Sequence, residues 1–430
     1  MMQSELSLPS FVPALSRRTF LSMSLRSMAS CAIGYLAAPL RRAFASASPS
    51  LKYFRRLVAK DNRTCATIEW QCDALLGEPR FLCREKGNAK EKEADVDFKY
   101  LEIENHPVFV YRAALKGLSP GKEYECRVTA AGKQAAAFSF RTDSGGPYKA
   151  LIFPDSQCEA IYDTWKRVSS EAVRRCPDAA LWVNMGDLVD NGESFFHWDD
   201  WQAATDASLG SRAFAPVMGN HECYSLQWQN AVPNAFLGLF STPSNGSAKY
   251  DRFYYAFDYG PVHFVVLNTQ RAELARLAPG LFEEQAAWLA DDLKKTKQPW
   301  RVALMHRDLI DYDEEPPNPD PFVRNLLPLI ESLGVDATLT AHAHAYRRRR
   351  MTAWKHDKNG VLYILTGNAG NCFYDVKRHA IDEIALPSDL LNYLVMEADE
   401  TRLTFRCFLP NGVQKDFVTL RKAPQEEDEA

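Results

Sequence analysis

The chain has 430 residues, longer than a typical single domain, and its 46% hydrophobic and 25% charged content describes a soluble globular protein able to bury a large core. A formal net charge of −4 excludes the basic excess of a nucleic-acid-binding protein, so any anion would have to be attracted locally, by a metal or a few arginines. The ten cysteines form no CxxC pair and are widely dispersed, which fits packing thiols with one or two bridges better than a disulfide scaffold.

Residues 1–50 read as an export signal and leader. Ser16-Arg17-Arg18-Thr19-Phe20-Leu21 resembles the twin-arginine motif, a moderately apolar stretch follows over 28–40, and Ala43-Phe44-Ala45 and Ala45-Ser46-Ala47 offer small-residue cleavage sites. The apolar stretch is too short to span a bilayer and lies between Arg26 and Arg41-Arg42. The expectation is an exported protein, periplasmic or extracellular, with no transmembrane segment in the mature chain.

Residues 51–143 read as an all-β sandwich. Cys65-Ala66-Thr67-Ile68-Glu69-Trp70 and Tyr124-Glu125-Cys126-Arg127-Val128 have strand composition, and Leu118-Ser119-Pro120-Gly121 is a turn signal. The run around that turn, 115–124, resembles the strand-turn-strand signature of fibronectin type III-like modules. Ser144-Gly145-Gly146-Pro147 reads as a linker.

From 147 to 422 apolar runs alternate with helical patterns, which predicts an α/β domain. The runs are 149–154, 180–185, 263–267, 302–305, 335–340 and 361–365. One helix is expected to bury Ile161, Trp165, Val168 and Ala172, and a second, over 282–295, to bury Phe282, Ala286, Leu289 and Leu293. Residues 423–430 form an acidic tail.

The residues just beyond the apolar runs carry the chemistry. The first run leads into Asp155-Ser156-Gln157 and the second into Gly186-Asp187. Gly219-Asn220-His221-Glu222 comes later, another run ends at His306, and the run from 335 ends in Ala341-His342-Ala343-His344. Ligands of open α/β sheets collect beyond the carboxyl ends of strands. Two histidines spaced i and i+2 at a strand end would point to one side, and two imidazoles on one side suggest a metal.

This series resembles the metallophosphoesterase (calcineurin-like) signature, and its surroundings resemble the purple acid phosphatase branch. Tyr254-Tyr255-Ala256-Phe257-Asp258-Tyr259-Gly260-Pro261-Val262-His263-Phe264 is similar to the strand pair that follows the GNHE motif in that branch, and Thr366-Gly367-Asn368-Ala369-Gly370 to its glycine-rich turn. An N-terminal fibronectin type III-like domain ahead of a four-layer α/β/β/α catalytic sandwich is the fold implied. So are two metal ions, drawn from Fe, Zn or Mn. Asp155 and His344 would hold the first, Asn220, His306 and His342 the second, with Asp187 bridging. His221 would protonate the leaving alkoxide, oriented by Glu222. The implied activity is hydrolysis of small phosphate esters, chiefly monoesters. Alternatives are a phosphodiesterase acting on nucleotide or lipid-type diesters and a non-catalytic surface binding protein.

Three positions depart from the resembled pattern. Asp190 stands where a metal-bound tyrosine is usual in GDxxY, so no purple iron-tyrosinate colour is expected. Gln157 stands where other members have a histidine ligand or a glycine. Ala341 replaces a glycine, tolerable if its φ stays negative. On the substrate side, Phe195, Phe196, His197, Trp198, Trp201, Tyr224 and Trp228 are either pocket lining or loop core, with core favoured. Arg307 would steady a phosphate oxygen or form a salt bridge. The acidic, proline-rich stretch 311–321 is either an overhang or a solvated loop, and Arg347-Arg348-Arg349-Arg350 either attracts phosphate or forms a solvated or salt-bridged strand face, with the strand face favoured.

Overall fold

The apolar runs after Pro147 are too short for independent helices, and they form the strands Tyr148–Phe153, Leu181–Asn184, Val262–Leu267, Trp300–Met305, Ala337–Thr340 and Val361–Thr366. Every residue of Leu181–Asn184, Val262–Leu267 and Ala337–Thr340 is buried, as strands covered on both faces require. These elements come from a computed structural model that describes residues 50–423, apart from 132, 160, 312–317 and 320–322. The export segment, the acidic tail and most of 311–321 lie outside the described residues.

Among the described residues the strands build two large sheets. The first is ten-stranded. In spatial order it contains Gln414–Arg421, Arg402–Phe408, Tyr393–Ala398, Tyr148–Phe153, Leu181–Asn184, Ala213–Pro216, Leu51–Leu57, Ala66–Cys72, His106–Leu115 and Val96–Ile103. The second begins with the antiparallel hairpin Tyr255–Tyr259 and Val262–Leu267. It then runs in parallel through Trp300–Met305, Ala337–Thr340 and Val361–Thr366 to the antiparallel Tyr346–Thr352, on which the short strands Lys355–His356 and Ile384–Ala385 pair.

Alternation along each strand divides its side chains between two cores. Between the sheets, Ile152, Val183, Ala215 and Leu394 meet Phe264, Val302, Leu339 and Ile364. The other face of the first sheet packs Leu151, Phe153 and Trp182 against Trp165, Val168 and Trp201 of the helices Asp163–Arg175 and Phe195–Leu209. The outer face of the second packs Val265, Ala303 and Met305 against Leu289, Leu293, Leu327 and Ile330 of helices Leu281–Lys295 and Leu326–Ser332. The layers are therefore helix, sheet, sheet, helix.

Two helix faces differ from the sequence expectation. Ile161 precedes the helix that starts at Asp163 and is 65% exposed, while Ser169 takes a place on the buried face. In Leu281–Lys295 the buried stripe is Leu281, Gln285, Leu289 and Leu293, with Phe282 and Ala286 only half-buried. Gln285 is tolerated inside because its amide bonds both backbone groups of Asn268, accepting from N at 2.7 Å and donating to O at 2.9 Å.

The N-terminal region is a β-sandwich. A four-stranded sheet, Lys92–Ala94, Arg80–Glu85, Glu123–Ala130 and Lys133–Arg141, covers one end of the ten-stranded sheet. Trp70 is the centre of their shared core, stacked on Phe54, Phe81 and Tyr111. Cys83 and Cys126 face each other across this sheet as thiols, with Sγ atoms 2.8 Å apart. All nine described cysteines are thiols, most of them buried.

No free linker separates the sandwich from the α/β layers. Leu51–Leu57 pairs in parallel with Ala213–Pro216, so one sheet crosses from one region to the other. Asp143, before the Ser144-Gly145-Gly146 turn, accepts a hydrogen bond from Gly260 N at 2.8 Å, and Asn62 Nδ2 donates to Asp258 O at 2.9 Å.

Candidate metal centre

The parallel strands of both sheets point their carboxyl ends toward one edge, and the polar residues beyond those ends converge there. Strand Tyr148–Phe153 leads to Asp155, Leu181–Asn184 to Asp187, Ala213–Pro216 to Asn220 and His221, Trp300–Met305 to His306, and Ala337–Thr340 to His342 and His344. Two glycines make the approach of these loops possible. A Cβ on Gly186, whose φ is +101°, would lie 2.5 Å from His306 Nδ1, and one on Gly219 would lie 2.1 Å from Asp187 Oδ1.

The paired histidines are not on a strand. The strand ends at Thr340, and His342 and His344 have φ of 74° and 52°, so their spacing does not act through strand alternation. Left-handed backbone turns them toward different carboxylates. Asp187 is left-handed as well, at 46°. Three such non-glycine residues at one site are costly and persist only where the surroundings enforce them. Ala341 keeps a negative φ and is fully buried.

Two sets of ligand atoms result, each lying within 4.8 Å of one another: Asp187, His306 and His342, and Asp155, Asp187 and His344. Asp187 belongs to both. His306 Nδ1 donates to Met185 O at 3.0 Å, which leaves the Nε2 lone pair facing Asp187 Oδ2 and Asn220 Oδ1, each at 3.1 Å. His344 repeats the arrangement, with Nδ1 donating to Cys372 O at 2.8 Å and Nε2 turned to Asp155 Oδ1 at 3.5 Å. His342 Nδ1 is buried without a hydrogen-bond partner. Lone pairs converging in a buried place repel one another unless a cation lies between them, so these residues fit a pair of metal ions.

The charges agree with that fit. Burial opposes ionisation of Asp187, but His306 and His221 outweigh it and hold the carboxyl well below its usual range. Burial likewise disfavours a charged His306, yet Asp187 and Asp155 push it up to about 9. His342 is lowered well below normal by burial, then by His306 and Arg307. The carboxylates thus draw positive charge inward, while ligation would require neutral imidazoles.

His221 lies beside the two sets. Its backbone N donates to Asp187 Oδ1 at 2.9 Å, its Nδ1 donates to Asp190 O at 2.6 Å, and Nε2 lies 4.0 Å from Asp187 Oδ2. Tyr224 and Trp228 flank the ring. The group that orients the imidazole is therefore the Asp190 carbonyl. Glu222 does something else: its carboxylate accepts from the backbone N–H groups of Gly219 at 2.6 Å, Leu188 at 2.8 Å, Asp187 at 3.0 Å and Val189 at 3.4 Å, tying two site loops together. Burial and the charge of Asp187 push Glu222 up to about 7 against the pull of those N–H groups.

The remaining residues singled out in the sequence divide clearly. Trp198 and Trp201 are buried in the helical layer, and Phe195 stacks on His106 of the sandwich with ring centroids 4.1 Å apart. Only Tyr224 and Trp228 of that group border the site. Arg307 Nη1 lies 3.0 Å from His342 Nε2 and its Nη2 pairs with the buried Glu273 at 2.7 Å. Arg349 pairs with Asp308 and Asp382, and Arg348 with Glu383 and Asp416, so these arginines are held in ion pairs, those of Arg349 buried and those of Arg348 half-buried. Sequence reasoning missed Glu273, which carries no motif. It also missed Tyr374, whose ring lies 4.5 Å from that of His344, although two aromatics just after the Gly370 turn were a usable signal.

The family model for the calcineurin-like phosphoesterase domain matches residues 148–346. Purple acid phosphatase 15 of Arabidopsis thaliana is 30% identical over 198 residues, 45% of this chain and 36% of that protein. Purple acid phosphatase 18 of the same plant is 26% identical over 247 residues, 54% of this chain and 55% of that protein. The matched part thus spans about half or less of these relatives' length. Among solved structures, a purple acid phosphatase from yellow lupin (Lupinus luteus) seeds superposes with a TM-score of 0.74 at 16% identity, covering 86% of this chain and 74% of that one. PhoD gives a TM-score of 0.61 at 12% identity, covering 87% and 92%. At these identities the structural likeness establishes a shared fold.

Proposed function

We propose, from the match of residues 148–346 to the calcineurin-like phosphoesterase family model and the likeness to purple acid phosphatases, that the chain hydrolyses phosphate esters, chiefly monoesters, at a dinuclear metal site. The observation that carries this reading is the sharing of Asp187 between two sets of ligand atoms, with His221 Nε2 4.0 Å from the shared carboxylate. Binding alone would need no such placed proton donor.

In this reading Asp155 and His344 would hold one ion and Asn220, His306 and His342 the other, with Asp187 serving both. The ions, from Fe, Zn or Mn, would polarise the phosphoryl group and lower the pKa of the attacking water. The rest falls to the chain. Met185 O and Cys372 O fix the ring orientations of His306 and His344, and Glu222 keeps the loops of Asp187 and Asn220 together. As water attacks phosphorus and the P–O bond to the alcohol breaks, His221 in its imidazolium form gives its Nε2 proton to the departing alkoxide, and alcohol and phosphate are released.

The same reading divides the chain into an export leader over 1–50, a fibronectin type III-like sandwich over 51–143, the catalytic domain over 147–422 and an acidic tail over 423–430. It places the enzyme outside the cytoplasm. No helix among the described residues is long and apolar enough to cross a membrane.

The test is metal analysis of protein loaded with Mn, Zn or Fe, alongside turnover of an aryl phosphate monoester and an aryl diester. Two ions per chain and faster monoester turnover are expected. Fewer than two ions and no turnover with any of these metals would refute the proposal.

A further inference from the structure

The described cysteines differ in what their sulfur atoms face. Cys158 Sγ lies 3.4 Å from Ser156 O, Cys223 Sγ 3.6 Å from Gly219 O and Cys72 Sγ 3.9 Å from Asp73 Oδ1, each a thiol beside an oxygen acceptor. Cys83 and Cys126 face each other instead, with Sγ atoms 2.8 Å apart. Both are buried, at 2% and 5% exposure. Sulfur is a weak hydrogen-bond acceptor, so the contact does little for the pair while both remain thiols.

The sheet holds the two sulfurs in this position. Arg80–Glu85 and Glu123–Ala130 are antiparallel neighbours, and Cys83 is directly opposite Cys126. Directly opposed residues of such a pair have Cα atoms about 4.5–5.5 Å apart, inside the roughly 4.4–6.8 Å that a disulfide spans. Alternation sends both thiols inward, into the core with Trp70, Phe81 and Tyr124. On the outer face Arg84 donates to Glu125 at 2.8 Å, and Lys86, just past the strand, donates to Glu123 at 3.0 Å, which keeps the register. Both strands are interior: Lys92–Ala94 pairs on one side and Lys133–Arg141 on the other. Neither cysteine can draw away without breaking the sheet.

We propose that Cys83 and Cys126 are an oxidisable pair that closes into a cross-strand disulfide, with a small-molecule or protein disulfide as the oxidant. One cysteine, as thiolate, attacks the S–S bond of the oxidant, forming a mixed disulfide and expelling one thiolate. The other cysteine, deprotonated, then attacks the bonded sulfur of the first and expels the second thiolate. The pair loses two protons and two electrons, and the oxidant becomes two thiols. Such oxidants act outside the cytoplasm, where the reading of the leader places the chain. Burial in the finished sheet shields both sulfurs, so the bridge closes as the strands pair and resists reductants afterwards. It joins residues 43 apart in the chain and pins the sheet that covers one end of the ten-stranded sheet.

The experiment compares the full chain secreted from a host cell and purified without reductant with the same chain made in a reducing cytoplasm. Free thiols are alkylated under denaturing conditions, and an unreduced digest is mapped by mass spectrometry. The secreted protein should give one cross-linked species joining the peptides of Cys83 and Cys126, two hydrogens lighter than their sum. Because the bridge closes a long loop, its melting temperature should exceed that of the thiol form by roughly 5 °C. In Cys83→Ala that difference should vanish. Both cysteines alkylated in the secreted protein, either one linked to a different cysteine, or an undiminished melting difference in Cys83→Ala would overturn the proposal. If Cys83→Ala does not fold, the wild-type map decides alone.

Discussion

The carbonyl oxygen of Asp190 lies 2.6 Å from His221 Nδ1 and holds the imidazole with Nε2 toward the shared carboxylate of Asp187. The side chain of Asp190 is itself anchored by Tyr162 OH at 3.0 Å. One residue thus couples the loop after Asp187 to the orientation of the proposed proton donor.

His221→Ala should therefore retain both metal ions and lose turnover by roughly 10²–10⁴-fold, the range of a positioned general acid. The loss should be smaller for an aryl ester than for an alkyl ester, because an aryl oxide leaves without needing the proton. Steady-state kinetics on both, beside metal analysis, measures this. Equal loss of metal in the variant would reassign His221 as a ligand.

Glu222 is expected to matter chiefly for stability. Both of its oxygens act as acceptors, Oε1 for Leu188 and Val189 and Oε2 for Gly219 and Asp187. In Glu222→Gln one oxygen becomes an NH2 facing buried N–H donors. With about 1–3 kcal/mol for each unsatisfied buried group, the variant should lose roughly 2–4 kcal/mol in a denaturant titration of the apoprotein. No change would mean that the clamp is replaceable.

The candidate ligands Asp155, Asp187, His306, His342 and His344 were legible in the sequence because they follow apolar runs that became strands, whereas Asn220 and His221, beyond the short strand Ala213–Pro216, were read from their own Gly219-Asn220-His221-Glu222 run. The role of Glu222 was not legible, since its partners are backbone N–H groups that no residue type announces. The left-handed turns at His342 and His344 were equally hidden, because only tertiary contacts enforce such backbone. Gln285 was missed on its helix because a polar residue reads as outward-facing until its partner, Asn268 on another element, is known.

His263 supplies a pH prediction remote from the metal ligands. Burial disfavours its charge, but hydrogen bonds and charges from Asp258 and Asp292, at 2.6 and 2.7 Å, raise it to about 9. A histidine raised in the folded state stabilises fully below its unfolded pKa, near 6.5, and that stability is lost as pH rises through about 9. The loss should be about 2 kcal/mol after discounting for the partly exposed Asp258. Denaturant midpoints between these pH values should fall in wild type and stay flatter in His263→Asn.

Iron-loaded protein should lack the visible phenolate charge-transfer band. Asp190 occupies the position where the resembled family places its tyrosine. Of the phenols around the site, burial and then Asp190 hold Tyr162 well above its normal pKa, burial raises Tyr374, and burial with Glu273 raises Tyr224 to about 12. An absorption spectrum decides the matter, and a band that disappears in Tyr374→Phe would identify a phenolate ligand from that loop.

Removal of the sandwich should unfold the site rather than leave it intact. Leu51–Leu57 pairs with Ala213–Pro216, and that same strand runs on to Asn220 and His221. Without residues 50–143 the strand becomes a bare apolar edge, prone to pair with another chain. Gly260 N and Asp258 O also lose partners in Asp143 and Asn62. A chain of residues 147–422 should therefore aggregate on size-exclusion chromatography and bind fewer than two metal ions. A monomeric fragment holding both would mean that the shared sheet is an attachment and that the catalytic layers fold alone.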